Sequence, residues 1–237
     1  MIKKPKPAVI GSLMILFLFV SCFYGIKGSG KVTKTDRQVN EFSAISASAG
    51  IEVILTQDSI VKIVVEADDN LQDNIKTEVV DEELKIYPEK RIRSCKAKRV
   101  YVSFQTIKSL DASSGSEIKS KTKMSLTSLD LTSSSGAKVN LMLILNRLNI
   151  EASSGADITV EGTVENLDVD GSSGANIKAT ALQSKSCNAG VSSGANIKIA
   201  VTEKITAKAS SGGDIRVKGN PTERNIEKSS GGNVSFN

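Results

Sequence analysis

The chain has 237 residues, only 4% of them aromatic, no Trp, no His, and a formal net charge of +5. This composition excludes a core of large side chains and His-dependent catalysis, and it favours thin layers of Ile, Val, Leu and Ala. Three of the 31 basic residues lie in a removable N-terminal segment, which leaves 28 basic against 26 acidic residues and no electrostatic argument for nucleic acid.

The N-terminus has the pattern of a bacterial secretory signal. Three lysines precede an apolar run at 8–20 that is too short to span a membrane. The segment Phe19 to Cys22 resembles a lipoprotein box, so we expect residues 1–21 to be a cleaved lipoprotein signal peptide and the Cys22 thiol to carry lipid. No acidic residue follows Cys22 directly, which favours the outer membrane. The alternative is an ordinary secretory signal with a chance cysteine.

Two regions precede the repeats. Residues 22–38 have scattered glycines and lysines and no apolar period, which predicts a flexible tether. Residues 39–106 alternate apolar and polar residues in short runs, which is typical of half-buried strands. Within this cap region, 69–75 predicts one short helix after an Asp cap. An imperfect copy of the later repeat, Ala47 to Val53, indicates that the first coil begins here.

The remainder, residues 107–237, contains the triplet Ser-Ser-Gly seven times, with glycines separated by 21, 19, 19, 20, 18 and 19 residues. Such a period is typical of a solenoid. We therefore predict an all-β protein, a right-handed parallel β-helix (solenoid) with about 20 residues per coil and a strand-rich N-terminal cap. We expect the corner glycines to take positive φ and the paired serines to form hydroxyl ladders that satisfy the turn backbone. The repeat glycines are Gly115, Gly136, Gly155, Gly174, Gly194, Gly212 and Gly231.

Positions counted from each glycine separate inward from outward residues. Apolar residues stand three and five after it, and five and seven before it, so equivalent residues such as Ile158, Ile177 and Ile197 are predicted to stack in buried columns. The column seven before the glycine is Lys108, Leu129, Leu148, Leu167, Cys187, Ile205 and Arg224.

The cap segments together with the repeats carry a family resemblance. In order, they resemble the bacterial domain family known as putative auto-transporter adhesin, head GIN domain, over residues 39–237. The resemblance implies a secreted or lipid-anchored single-stranded β-helix, common in Bacteroidetes, and it supplies no catalytic, cofactor or metal residues. The segments are Glu41 to Ile45, Gly50 to Gln57, Val64 to Leu71, Ile75 to Val79 and Leu84 to Ile86, followed by the repeats.

Two sets of outward residues are candidate sites, each with a solvated strand face as the alternative. The column two residues after the glycine faintly resembles a calcium-binding β-roll, although Asn and Lys interrupt its charge. A second set would be the carboxylates of a polysaccharide-cleaving enzyme, but no Lys or Arg set accompanies it. The first set is Glu117, Lys138, Asp157, Asn176, Asn196, Asp214 and Asn233, and the second is Asp130, Asn149, Glu151, Asp168 and Asp170.

The cysteines and one basic run complete the candidates. Cys187 is predicted to lie in the core and to form no disulfide with Cys95. The run from Lys90 to Arg99 is a candidate contact surface for anionic glycan or lipid head groups, or else a solvated loop, and its charge would lower the pKa of Cys95.

The sequence thus predicts a lipid-anchored cell-envelope protein without enzymatic activity, metal or cofactor, and without a nucleic-acid partner. Its predicted role is that of an adhesin or surface-binding module for glycan or protein. The alternatives are a structural envelope protein without a ligand and a polysaccharide-cleaving β-helix enzyme. Val234 to Asn237 lacks an obvious cap, so its open edge is predicted to pair with a second copy.

Overall fold

A computed structural model describes residues 24–237, and the predictions for the signal peptide and for lipidation of Cys22 lie outside these residues. The described part is built mainly of strands joined by turns, with one 3-10 turn and no α-helix. The strands are β1 (Ile26–Lys27), β2 (Val32–Arg37), β3 (Ala44–Ala47), β4 (Glu52–Gln57), β5 (Lys62–Asp68), β6 (Ile75–Val80), β7 (Glu83–Pro88), β8 (Ile92–Ser94), β9 (Lys98–Phe104), β10 (Ser109–Ala112), β11 (Glu117–Ser120), β12 (Met124–Ser125), β13 (Ser128–Ser133), β14 (Lys138–Ala152), β15 (Asp157–Gly171), β16 (Asn176–Val191), β17 (Asn196–Ala209), β18 (Asp214–Lys218), β19 (Glu223–Lys228) and β20 (Asn233–Phe236).

The repeat region forms the predicted solenoid, with parallel strands stacked coil on coil in about seven turns of about 19 residues. Ile158 pairs in register with Ile177, and Ile177 pairs with Ile197. All three are buried, so equivalent apolar residues form a continuous column along the axis. The parallel β-helix is therefore confirmed, while its right-handed winding stays a prediction.

The inward columns hold in the middle coils and fail at both ends. Leu167, Cys187 and Ile205 are buried one above the other, as predicted. Lys108 and Arg224, which were predicted to lie in the same column, are exposed. Arg224 lies in the terminal coil, which has a neighbouring coil on one side, whereas Lys108 lies just before β10, in a coil flanked by β3 and β13.

The cap continues the solenoid, and one 18-stranded sheet joins the two. Strands β3 and β4 form a coil with the same corner as the repeats, because Ala49 and Gly50 have φ of 54° and 75°. This coil lies between the coil of β10 and β11 and the strands β7 and β9, so the spatial order of the coils differs from their order in the chain. Strands β5 and β6 then add antiparallel neighbours to β9 and β7.

The segment predicted to be a flexible tether, 22–38, lies in strands over most of its described part. Strand β2 pairs antiparallel with β5, and β1 pairs parallel with β8. The Ile26 N–H donates a hydrogen bond of 2.8 Å to the carbonyl oxygen of Arg91. Backbone pairing therefore holds the chain against the cap from residue 26 onward.

A buried carboxylate reinforces this attachment. Asp68 is fully buried and accepts hydrogen bonds from the backbone N–H groups of Gly30 (2.8 Å), Ala97 (3.0 Å) and Lys96 (3.1 Å). Burial alone would raise its pKa, but these donors outweigh burial and hold the pKa below the ordinary Asp value. A side chain at Gly28 would overlap this carboxylate, so the chain can pass here only as glycine.

The predicted helix at 69–75 is wrong in length and type. The structure has a single 3-10 turn at Asp69–Leu71, without a side-chain cap. Asp68, which precedes this turn, has its carboxylate committed to Gly30, Lys96 and Ala97.

The last coil is partly covered, contrary to the expectation that it lacks a cap. The Arg224 guanidinium lies over the Phe236 ring, with 4.2 Å between Cζ and the ring centroid. Lys228 donates a hydrogen bond of 2.8 Å from Nζ to the carbonyl oxygen of Val234. Among the described strands, β20 pairs only with β18, so edge pairing with a second copy stays a prediction.

Candidate functional site

Each coil turns sharply at its Ser-Ser-Gly triplet. In the central repeat Ser154 and Gly155 have φ of 50° and 71°, and the Ala156 N–H donates a 3.0 Å hydrogen bond to the Ser153 carbonyl. Two consecutive positive φ values inside such a bond define a type I′ turn. All seven repeat glycines have positive φ, and so does the serine before each of them. The sequence analysis missed that second strained position.

The backbone of neighbouring coils satisfies these turns. Gly155 N–H donates to the Ser173 carbonyl at 3.1 Å, and Ser172 N–H donates to the Ala152 carbonyl at 2.9 Å. Within residues 24–237 none of the paired serines of the triplets forms a hydrogen bond from its hydroxyl to the turn backbone, so the predicted hydroxyl ladders are wrong. The serine hydroxyls are left available at the corner, where the first serine is half-buried except for the exposed Ser229, and the second serine is exposed.

A groove of about 740 Å³ follows the corner along the axis, and we call it the corner groove. Its outer wall is the residue four before each of the last six repeat glycines, which we call the wall column, and its other side is the first serine of each of the last five triplets. Three of the five residues between the two are Ala or Gly. The wall column is Thr132, Glu151, Asp170, Gly190, Lys208 and Glu227; the serines are Ser153, Ser172, Ser192, Ser210 and Ser229; the residues between are Ala152, Gly171, Val191, Ala209 and Lys228.

Beside the wall column, carboxylates are hydrogen-bonded from coil to coil. Asn149 Nδ2 donates to Asp130 Oδ1 at 2.6 Å, and Asn188 Nδ2 donates to Asp168 Oδ1 at 2.7 Å. Arg147 also lies near, with 3.6 Å between its Nη2 and Asp168 Oδ2. The sequence analysis found no Lys or Arg set beside these carboxylates, and the structure places one basic residue, Arg147, near Asp168. Asp130 and Asp168 already have protein partners.

Two carboxylates of the wall column have no protein partner. Glu151 and Asp170 are register partners on adjacent coils, and neither has a hydrogen bond or ion pair with any residue in 24–237. Burial raises the pKa of the Asp170 carboxyl, and the negative charges of Glu151 and Asp168 raise it further. Next in the column is Gly190, where a side chain would overlap the Asp170 carboxylate.

Beyond Gly190 stands Lys208, whose Nζ lies 3.1 Å from Glu227 Oε2. The sequence analysis singled out Glu151 and Asp170 as carboxylates but missed Gly190 and Lys208. Counting the residue four before each glycine would have found the whole column.

The outward column, two residues after each glycine, lies at the surface, as predicted. Hydrogen bonds from side-chain amides link some of its members. Asn233 Nδ2 donates to Asp214 Oδ1 at 2.7 Å. No group of three or more Asp, Glu, Cys or His side chains within residues 24–237 is placed to hold a metal ion. The described geometry therefore provides no calcium cage of protein carboxylates.

Both described cysteines are free thiols. Burial strongly raises the pKa of Cys187, as expected for a thiol in the core. Burial also raises the pKa of Cys95 and outweighs the opposing charge of Lys98, so the prediction of a lowered value is wrong.

The residues of the basic run, Lys90 to Arg99, differ in their partners and in their exposure to solvent. Arg99 forms an ion pair with Glu52, with 2.6 Å between Arg99 Nε and Glu52 Oε2. Lys90, Arg93 and Lys96 are exposed. The run therefore presents only part of its charge to solvent.

Solved structures resemble the whole described body. A putative adhesin from Bacteroides fragilis NCTC 9343 is 23% identical with a TM-score of 0.84, covering 90% of this chain and 100% of its own. A putative adhesin from Parabacteroides merdae ATCC 43184 is 20% identical with a TM-score of 0.71, covering 90% of this chain and 98% of its own. A putative lipid binding protein from Parabacteroides distasonis ATCC 8503 has the same identity and TM-score, with coverage of 90% and 99%. At these identities the likeness shows the fold.

The remaining comparisons concern sequence. No curated protein matches the chain. Within residues 24–237 no helix is long and apolar enough to cross a membrane. The family described as putative auto-transporter adhesin, head GIN domain, matches residues 41–221, which is most of the chain, and the chain therefore belongs to this family.

Proposed function

We propose that this protein is a lipid-anchored adhesin of the bacterial cell envelope that binds a neutral, hydroxyl-rich glycan along the corner groove and has no enzymatic activity. The observation that carries the proposal is the pair of unpartnered carboxylates, Glu151 and Asp170, on the wall of an open polar groove. Carboxylates accept and serine hydroxyls both donate and accept hydrogen bonds, so together they suit sugar hydroxyls. Membership of an adhesin family supports the binding role.

The chemistry of the groove favours a glycan over a protein. Protein interfaces depend on buried Trp, Tyr and Arg anchors, and the groove lining contains none of these. A negatively charged glycan is also disfavoured. Glu151 and Asp170 would repel it, and the charge of Lys208 is already offset by Glu227.

The anchor belongs to the same proposal. A signal-like segment ending at Cys22 supports lipidation of its thiol, and the absence of an acidic residue directly after it supports the outer membrane. Mass spectrometry of the protein extracted from its own membranes should show diacylglycerol on an N-terminal Cys22. An unmodified or uncleaved N-terminus would overturn this part.

A glycan array tests the binding role. The array is probed with the wild-type body, a groove variant Glu151→Gln/Asp170→Asn and a control Asp157→Asn/Glu161→Gln, which removes two charges from exposed positions outside the groove. We expect the wild type and the control to retain a neutral glycan and the groove variant to lose it at least about tenfold, since each lost charge-assisted hydrogen bond weakens binding. Retention of no glycan, or equal retention by all three proteins, would refute the proposal.

One observation favours the polysaccharide-cleaving alternative. Asp170, with its raised pKa, lies beside Glu151, and glycosidases use a protonated carboxyl next to an ionised one. Incubating the retained glycan with the protein and measuring new reducing ends separates the two functions. The adhesin proposal predicts none above the Glu151→Gln/Asp170→Asn background.

A further inference from the structure

The cap carries an exposed basic surface beside the point where the described chain begins. We define the basic surface as Lys27, Lys90, Arg93 and Lys96. The pairing of β1 with β8 brings its members together, because Ile26 is the register partner of Ile92.

The side chains along β1 and β8 alternate between the core and the surface. Ile26 and Ile92 pack against the core, so their neighbours in sequence face outward. Gly25 completes the contact, since a side chain there would come within 3.2 Å of Arg93 Cβ. The first described residue, Tyr24, is 81% exposed beside this surface.

No ion pair within residues 24–237 offsets the charge of the basic surface, although the carboxylate of Asp68 attracts its member Lys96. None of its four members forms an ion pair with a carboxylate in residues 24–237. The nearby acids have other partners: Asp69 pairs with Lys31, and Glu89 pairs with Lys76 at 3.1 Å. Asp68 is buried and saturated by backbone N–H groups. The surface therefore presents a local positive field to solvent.

The proposed lipid anchor is close to the basic surface along the chain, so the membrane lies within reach of the positive field. Tyr24 follows Cys22 by two residues, which can span at most about 7 Å. The Debye length at physiological salt is about 8 Å. We propose that the basic surface docks on the anionic phospholipid head groups of the membrane that holds the anchor. This inference rests on the lipidation of Cys22 proposed above.

Docking here would direct the corner groove away from the membrane. Residues 89–97, with β8, replace the Ser-Ser-Gly corner of the coil formed by β7 and β9. The wall column begins at Thr132, three coils further along the stack. At about 4.8 Å per coil the groove starts about 14 Å beyond the basic surface and runs away from it.

The test uses the chain from residue 22 onward with Cys22→Ser, which cannot be lipidated; residues 24–237 close a continuous core by themselves. Its binding is measured by sedimentation with vesicles of phosphatidylcholine alone and of an equal mixture with phosphatidylglycerol. We expect binding to the mixed vesicles only, weakening as salt is added.

Two triple variants test whether the basic surface is the part of the protein that binds the vesicles. Lys27→Gln/Lys90→Gln/Arg93→Gln should lower the affinity for mixed vesicles by about fivefold per residue, and by about a hundredfold together. The control Lys138→Gln/Lys178→Gln/Lys218→Gln removes the same charge from exposed positions on the coils and should bind as the parent does. Equal losses in both variants, no preference for mixed vesicles, or binding only to soluble anionic glycan would overturn the proposal. Since this chain carries no anchor, its result is independent of whether Cys22 is lipidated.

Discussion

The glycine at position 162 tests how tightly the coils are stacked. Gly162 has φ of 119°, and a side chain there would overlap the carbonyl oxygen of Leu143 on the adjacent coil. For Gly162→Ala the unfavourable φ costs about 1–3 kcal/mol. Displacing packed backbone costs about 1–3 kcal/mol more. The lower entropy of the unfolded Ala chain returns about 0.4–1 kcal/mol, so we expect a net destabilisation of about 3 kcal/mol.

The matched control is Gly155→Ala at the corner. Its φ is 71° but no atom lies within 4 Å of the added methyl, so only the left-handed backbone is penalised. That penalty of about 1–2 kcal/mol, less the same entropy term, leaves about 1 kcal/mol. Urea unfolding followed by far-UV circular dichroism measures both values, with hydrogen exchange to detect opening of single coils. Equal stability of the two variants would refute the packing argument.

Three further predictions concern the core, the cap and the thiols. Ile177→Ala should lose about 2–5 kcal/mol of unfolding free energy because it empties a buried site, whereas exposed Lys178→Ala should stay within about 0.5 kcal/mol; similar losses in urea titrations would contradict the column. Asp68→Asn should expose the amides of β1 and β2 to faster hydrogen exchange. The folded pKa of Asp68 lies below the ordinary value of 3.8, so its stabilisation is present above that pH and is lost as the pH falls further. Acid should therefore give the wild type the exchange pattern of the variant and leave the variant unchanged. Cys187 should resist a thiol reagent until the body unfolds, and rapid labelling in the folded protein would place it outside the core.

The repetitive part of the fold was predictable because its signal is redundant. Seven triplets at a near-constant period identify the corners, and alternation around them identifies the columns. The prediction failed where the repetition ends. Lys108 and Arg224 occupy core positions by count, but both are exposed: Lys108 stands at the start of the first repeat coil and Arg224 in the terminal one.

The cap was less predictable because its contacts are distant in sequence. Nothing near residue 28 indicates that Asp68 will receive the backbone of Gly30 and Ala97, so a glycine-rich segment was interpreted as a tether. The coil of β3 and β4 also pairs with strands that follow it by about 40 to 65 residues, so local pattern alone cannot give the order of stacking.

The candidate site was half predictable. Glu151 and Asp170 stand out as outward carboxylates in the sequence, but their lack of partners follows from three-dimensional contacts. Asn149 and Asn188 donate hydrogen bonds to Asp130 and Asp168 in the neighbouring column, and only the three-dimensional structure shows which carboxylates remain without a partner. The groove itself depends on Gly190 and the corner serines, which composition does not single out.

The proposed function is tested most directly by calorimetric titration with the array-selected glycan at increasing chain length. The wall column from Thr132 to Glu227 extends over about 24 Å at 4.8 Å per coil. Affinity should rise with each added sugar until the chain spans that length, and then level off. A single sugar that binds as tightly as the long chain, or no binding at any length, would contradict a glycan lying along the corner groove.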